Sequence, residues 1–167
     1  ATPIFARHIK NKMKLNNLIC VAPDVGGVER TRALSRRLNS SIAIIDKRRP
    51  APGKSEVMNI VGSVKNKNCV IVDDIIDSGG TIVNAVEALK NKGAKDVYVY
   101  ITHAVLSGEA IYKIEKSKIK KLITTDTIDN SKKIARNKKV EIISLAPMIS
   151  EAMKRIANST SVSSLFK

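Results

Sequence analysis

Two adjacent aspartates followed by an Asp-Ser-Gly-Gly-Thr turn are the residues best suited to chemistry in this chain. They stand in the run Val70-Ile71-Val72-Asp73-Asp74-Ile75-Ile76-Asp77-Ser78-Gly79-Gly80-Thr81. Glycines let the backbone turn tightly and bring successive N–H groups toward one point, and a helix starting there adds its positive end. Together these make a cradle for a monophosphate. Ser78 and Thr81 add hydroxyl donors. Asp73 and Asp74, at the carboxyl end of an apolar strand, fall where open α/β sheets bind ligands, and carboxylates accept well from vicinal sugar hydroxyls. Phosphate at one end and diol at the other describes a ribose phosphate. The plainer reading, in which the acids merely end a strand, sets two like charges side by side with neither a cation nor a hydroxyl-rich ligand to balance them. The segment lacks the Gly-Lys-Ser/Thr of a nucleoside-triphosphate P-loop.

A second candidate is the cationic stretch Asp46-Lys47-Arg48-Arg49-Pro50-Ala51-Pro52-Gly53-Lys54. Its proline and charge content predicts a long exposed loop. Lys47 and Arg49 alternate by two and so share one side of an extended segment. Pro50 and Pro52 would stiffen it, with Gly53 as a hinge. Standing alone, the stretch reads equally well as a solvated basic turn. His8 and His103 have no context that supports catalysis, and His103 is expected to be a packed or interfacial imidazole.

Positioning these residues requires an alternation of apolar runs and amphipathic stretches, the pattern of a parallel sheet with helices on both faces. Strands are predicted at 18–22, 42–45, 58–61, 69–72, 97–102, 121–125 and 140–144. Helices are predicted after Gly26-Gly27, with Val28, Leu34 and Leu38 at helical spacing, and after Gly79-Gly80, ending near Gly93. Two more are expected at 109–116 and 147–157. No repeat or linker divides the chain, so residues 1–167 are expected to form a single α/β domain.

Composition limits the remaining options. A hydrophobic fraction of 43% suits a packed core, and no window approaches a membrane span, so a soluble cytoplasmic protein is expected. Cys20 and Cys69 each lie inside an apolar run without a metal-ligand neighbour, which predicts buried free thiols. The net charge of +15 admits an anionic substrate or nucleic acid. With aromatics at only 3% and none interleaved with the lysine clusters, nucleic acid is disfavoured. The sequence starts at Ala1 and runs into a lysine-bearing stretch, Arg7 to Lys14, that carries no signal-peptide core and is assigned no element.

The Asp73 to Thr81 segment resembles the signature of the type I phosphoribosyltransferase fold. Three further segments make the chain similar to the carboxy-terminal half of the ribose-phosphate pyrophosphokinases. These are Pro23-Asp24-Val25-Gly26-Gly27-Val28, then Ala43 to Pro50 with Glu56 to Gly62, and Thr102-His103 with Ser107-Gly108. The resemblance implies transfer of pyrophosphate from magnesium ATP to the 1-hydroxyl of ribose 5-phosphate. It implies Lys47 as catalytic lysine, with Arg49 as its loop partner and a substrate contact. Asp24 would be a carboxylate for Mg2+, Asp73 and Asp74 the ribose-hydroxyl acceptors, and Asp77, Ser78, Gly79, Gly80 and Thr81 the 5-phosphate site. It also implies an inter-subunit regulatory site for ADP or phosphate at Ser161, Ser163 and Phe166, and a homo-oligomer. The family's metal-binding histidine and most ATP contacts belong to the other half, so a chain of this extent is expected to bind ribose 5-phosphate weakly and to be inactive alone. Two departures stand out: Pro-Ala-Pro-Gly-Lys in the loop, and Ser78 in place of a frequent threonine. The alternatives are a phosphoribosyltransferase, for which no base-recognising hood is evident, and a non-catalytic synthetase-associated regulatory protein, against which Lys47 and Arg49 argue.

Overall fold

Runs of Val and Ile with few polar interruptions form strands buried on both faces, as a sheet covered by helices on each side requires. In the computed structural model, which describes residues 1–48 and 57–166, seven strands form: β1 (Leu18–Ala22), β2 (Ser41–Arg48), β3 (Val57–Val61), β4 (Asn68–Ile76), β5 (Asp96–Ala104), β6 (Lys121–Thr125) and β7 (Val140–Ile143). They build one sheet in the order β3-β2-β1-β4-β5-β6-β7. All neighbours are parallel except β2 and β3, which run antiparallel from Ile44 opposite Val61 to Arg48 opposite Val57. The helices are α1 (Thr2–His8), which runs into a π turn over Ile9–Met13, α2 (Val28–Leu38), α3 (Gly80–Asn91), α4 (Ala110–Lys116), α5 (Ser131–Ile134) and α6 (Ala146–Ala157). A 3-10 turn at Ser163–Phe166 follows.

Because side chains alternate along each strand, the sheet carries two apolar layers. Val21, Ala43, Ile45, Ile71, Val99 and Ile101 pack beneath Ile82, Val86 and Leu89 of α3 and Ile114 of α4. On the opposite face Cys20, Val70, Val72, Tyr98 and Tyr100 pack beneath Phe5, Ala6 and Ile9 and beneath Leu34 of α2. Cys20 and Cys69 are free and buried, and burial pushes their thiols up to about 11 and about 12. Gly93 closes the α3 segment with φ of 84°, the left-handed terminus anticipated from sequence. Among the described residues no helix is long and apolar enough to cross a membrane.

Three expectations are corrected. Asp46 to Arg48 are not loop: they continue β2, because the antiparallel β3 gives their backbone a ladder that charge and nearby prolines had argued against. Asp73 and Asp74 do not end their strand, since β4 continues through Ile76 against β5. The Arg7 to Lys14 stretch is largely helical. Phe5 meets Tyr100 edge-on at 5.3 Å between ring centroids, and His8 accepts or donates through Nδ1 to the Tyr100 hydroxyl at 3.0 Å and through Nε2 to Glu141 at 3.1 Å.

Candidate functional site

The chain leaves β1 toward β2 on one side and leaves β4 toward β5 on the other, so β1 and β4, which are neighbours, part at their carboxyl ends. Ligands of open α/β sheets bind in that crevice. Val21 pairs with Ile71, which brings Asp24 and Asp74, each a few residues further on, to the two lips. At the β1 lip, the exposed Asp24 accepts from the Gly27 N–H through Oδ1 at 2.9 Å and so starts α2. A Cβ on Gly27 would come within 3.2 Å of the Pro23 ring, a close approach that a larger residue could make only by shifting that ring a few tenths of an ångström.

At the β4 lip the acid pair has a partner that sequence reasoning missed. Arg30, in the first turn of α2, donates through one guanidinium nitrogen to Asp73 Oδ1 at 2.6 Å and through the other to Asp74 Oδ2 at 2.7 Å. The argument that the pair needs a ligand to balance its charge is therefore corrected: the protein itself supplies a cation. Burial pushes the Asp73 carboxyl up; the Asp74 N–H and Arg30 act to lower it, and the charges of Asp74 and Asp24 raise it further. The signal available in sequence was Arg30 itself, a cation in the first turn of a helix, where the macrodipole disfavours it.

Beyond β4 the backbone turns through Gly79, at φ of 77°, into α3, whose amino end has no side-chain cap. A Cβ placed on Gly80 would meet nothing within 4 Å. Uncapped N–H groups beside open space are what an anion needs. The opening is a cavity of about 210 Å³ lined by Asp73, Ile75, Asp77, Ser78, Gly80 and Thr81 among others. The segment after β5 braces this turn: Val105 N–H donates to Ile76 O at 2.9 Å and Ser107 N–H to Asp77 O at 3.2 Å. Asn130 holds the same region, donating to Ala104 O at 2.6 Å. His103 instead pairs with Thr127 Oγ1 at 3.1 Å on the exposed strand ends.

The other candidates are placed as follows. Ala22, the last residue of β1, pairs with Ile44, so β2 carries Lys47 past the end of β1 by three residues, on the order of 10 Å. Alternation puts half-buried Lys47 on the face of Ala43 and Ile45, the α3 face to which Asp73 also belongs by its spacing from Ile71. Arg49 lies outside the described residues. The tail is not brought to the crevice. The Phe166 carbonyl accepts from Arg37 at 2.5 Å, in the last turn of α2, while Ser161 and Ser163 hydroxyls meet at 2.9 Å. Among the described residues no three His, Cys, Asp or Glu side chains converge as a metal site.

A family model described as phosphoribosyl synthetase-associated domain matches residues 49–167. The chain is 51% identical over 166 residues to a ribose-phosphate pyrophosphokinase of Bradyrhizobium diazoefficiens, covering 99% of this chain and 52% of that protein. It is 50% identical over 166 residues to one of Agrobacterium fabrum, covering 99% and 54%. It thus spans about half the length of these curated relatives. Among solved structures, a phosphoribosylpyrophosphate synthetase from Mycobacterium smegmatis matches with a TM-score of 0.84 at 30% identity, over 95% of this chain and 51% of that one. A purine phosphoribosyltransferase from Pyrococcus horikoshii matches with a TM-score of 0.52 at 26% identity, over 64% and 73%.

Proposed function

The chain belongs to the phosphoribosyl synthetase-associated domain family, and from that premise we propose that it is the ribose 5-phosphate-holding part of a ribose-phosphate diphosphokinase. The proposal makes residues 1–167 one domain, the carboxy-terminal half of a two-domain enzyme. What carries it is the single crevice in which an acid pair and an uncapped helix terminus stand side by side, one suited to a diol and the other to a phosphate.

In this reading the 5-phosphate sits on Asp77 to Thr81 and the ribose hydroxyls on Asp73 and Asp74. The 1-hydroxyl oxygen attacks the β-phosphorus of ATP, the bond from that phosphorus to the α,β-bridging oxygen breaks, AMP departs and the hydroxyl proton is lost. Lys47 and Arg49 stabilise the charge that builds on the transferring group, the part of such reactions that fixed cations serve best. Asp24 keeps Oδ2 without a hydrogen-bond partner among the described residues. One carboxylate fits Mg2+, which is commonly held by one or two carboxylates together with substrate phosphates and waters and does not need a protein cage. When bound, Mg2+ would shield the phosphate charge. Ser161, Ser163 and Phe166 belong to a regulatory site for ADP or phosphate completed by another subunit of a cytoplasmic homo-oligomer. A phosphoribosyltransferase would share the ribose and phosphate contacts and is separated from this reading by its need for a nucleobase.

Phosphorus NMR of the purified chain with ribose 5-phosphate and magnesium, before and after ATP, tests the proposal. A shifted or broadened 5-phosphate resonance without turnover is expected. AMP and PRPP formation by the chain alone would mean that the site is complete here, and an unperturbed resonance would remove the ribose 5-phosphate assignment.

A further inference from the structure

Adjacent residues of a strand point to opposite faces, so the carboxylates of Asp73 and Asp74 should diverge. Asp73 follows Ile71 toward the α3 layer and Asp74 follows Val72 toward the α2 layer. One guanidinium nevertheless reaches both. A planar fork can span two acceptors in a fixed geometry, whereas an ammonium offers one compact charge. Asp73 Oδ1 also accepts from the Asp74 N–H at 3.0 Å. Asp73 Oδ2 and Asp74 Oδ1 remain without a hydrogen-bond partner among the described residues, one oxygen per carboxylate.

We propose that Arg30 is the positioning residue of the diol site: its fork engages one oxygen of each acid and presents the other two to the 2- and 3-hydroxyls of a ribose phosphate. This rests on the ribose 5-phosphate reading and adds to it the residue that sets the spacing of the acceptors. Arg30 also acts against protonation of Asp73, the form the sugar could not use. A protonated carboxyl would offer a donor where a hydroxyl must donate, and burial together with Asp74 and Asp24 acts to raise Asp73, with Arg30 opposing them. Arg30 is held against the preference of its helix end for anions, while Glu29 beside it has the favoured sign. The half-buried guanidinium (29% exposed) meets a carboxylate that is only 19% exposed at Asp73 and one that is 61% exposed at Asp74. Asp73 is accordingly the stronger acceptor position. The same fork ties α2, and with it the Asp24 turn, to β4 across the crevice.

The test measures affinities of the whole chain for ribose 5-phosphate, 2-deoxyribose 5-phosphate and inorganic phosphate by calorimetry or phosphorus NMR. The unsubstituted chain is expected to prefer ribose 5-phosphate over the deoxy sugar. Arg30→Met should reduce that preference by about tenfold, as loss of a well-placed hydrogen bond to a charged group does, and leave inorganic phosphate affinity unchanged. Arg30→Lys should recover part of the preference, since it restores charge but not the fork. Should Arg30→Met fail to fold, Arg30→Lys decides: an unchanged ratio overturns the assignment. Equal losses for all three ligands overturn it too, making Arg30 a general strut of the crevice. If the unsubstituted chain treats ribose 5-phosphate and inorganic phosphate alike, the parent reading fails and this one falls with it.

Discussion

At the scale of single residues, the two glycines that open α3 separate stability from binding. Gly79 is left-handed, and a side chain there is strained wherever its Cβ falls. Gly80 is helical and its Cβ would meet nothing. Gly79→Ala is therefore expected to cost about 1–2 kcal/mol in urea unfolding. Gly80→Ala should be neutral or stabilising by up to about 1 kcal/mol, yet it should weaken phosphate binding, because the added methyl enters the cavity beside the uncapped N–H groups. A Gly80→Ala chain that binds inorganic phosphate as well as the original would place the anion elsewhere. These glycines and the acid pair were legible in the sequence because their chemistry is local. Arg30 was not, since its meaning depends on an acid 43 positions further along the chain returning to the same crevice.

At the scale of elements, β1, β4 and the helices after them announced themselves through uninterrupted apolar runs and glycine turns. α1 and the end of β2 did not, because tertiary contacts form them: Phe5 and His8 on Tyr100, and the β3 ladder beside Asp46 to Arg48. The attachment of α1 carries a pH dependence with a definite sign. Burial acts to raise the Glu141 carboxyl, but hydrogen bonds and charges from Lys12 and His8 prevail and hold it below its ordinary value of 4.5. A depressed carboxyl contributes stability above its unfolded value, and that contribution is lost as pH falls through the folded one. Asp73, raised overall, has the opposite sign and favours the folded state on acidification, so a global unfolding curve would mix the two. Hydrogen exchange of the α1 amides isolates the first. Protection is expected to fall as pH drops below about 4.5, after correction for intrinsic exchange, and Glu141→Gln should flatten the dependence. An unchanged pH profile in Glu141→Gln would show that Glu141 does not carry the pH dependence of the α1 attachment.

For the whole molecule, the order of strands is what makes a site, and no local pattern encodes it. Only when β1 returns between β2 and β4 do Asp24, Asp73 and the α3 terminus face one another. The charge of +15 acts at the same scale. Self-repulsion of a strongly cationic chain opposes compaction, and the ion pair of Lys118 with Glu87, exposed at both ends, contributes little against it. The melting temperature should rise as sodium chloride goes from about 10 to 100 mM, over which the screening length shrinks from about 30 to 10 Å. A fall would mean that attractive pairs dominate. Replacing chloride by inorganic phosphate at equal ionic strength should raise it further if the α3 cradle binds the anion. At ten times the dissociation constant the linkage is worth about 1.4 kcal/mol, or about 3–6 °C for a chain of this size. General salting effects of phosphate on the surface would survive Gly80→Ala, whereas stabilisation that comes through the cradle should disappear in that variant, which makes the difference between the two chains the quantity to measure.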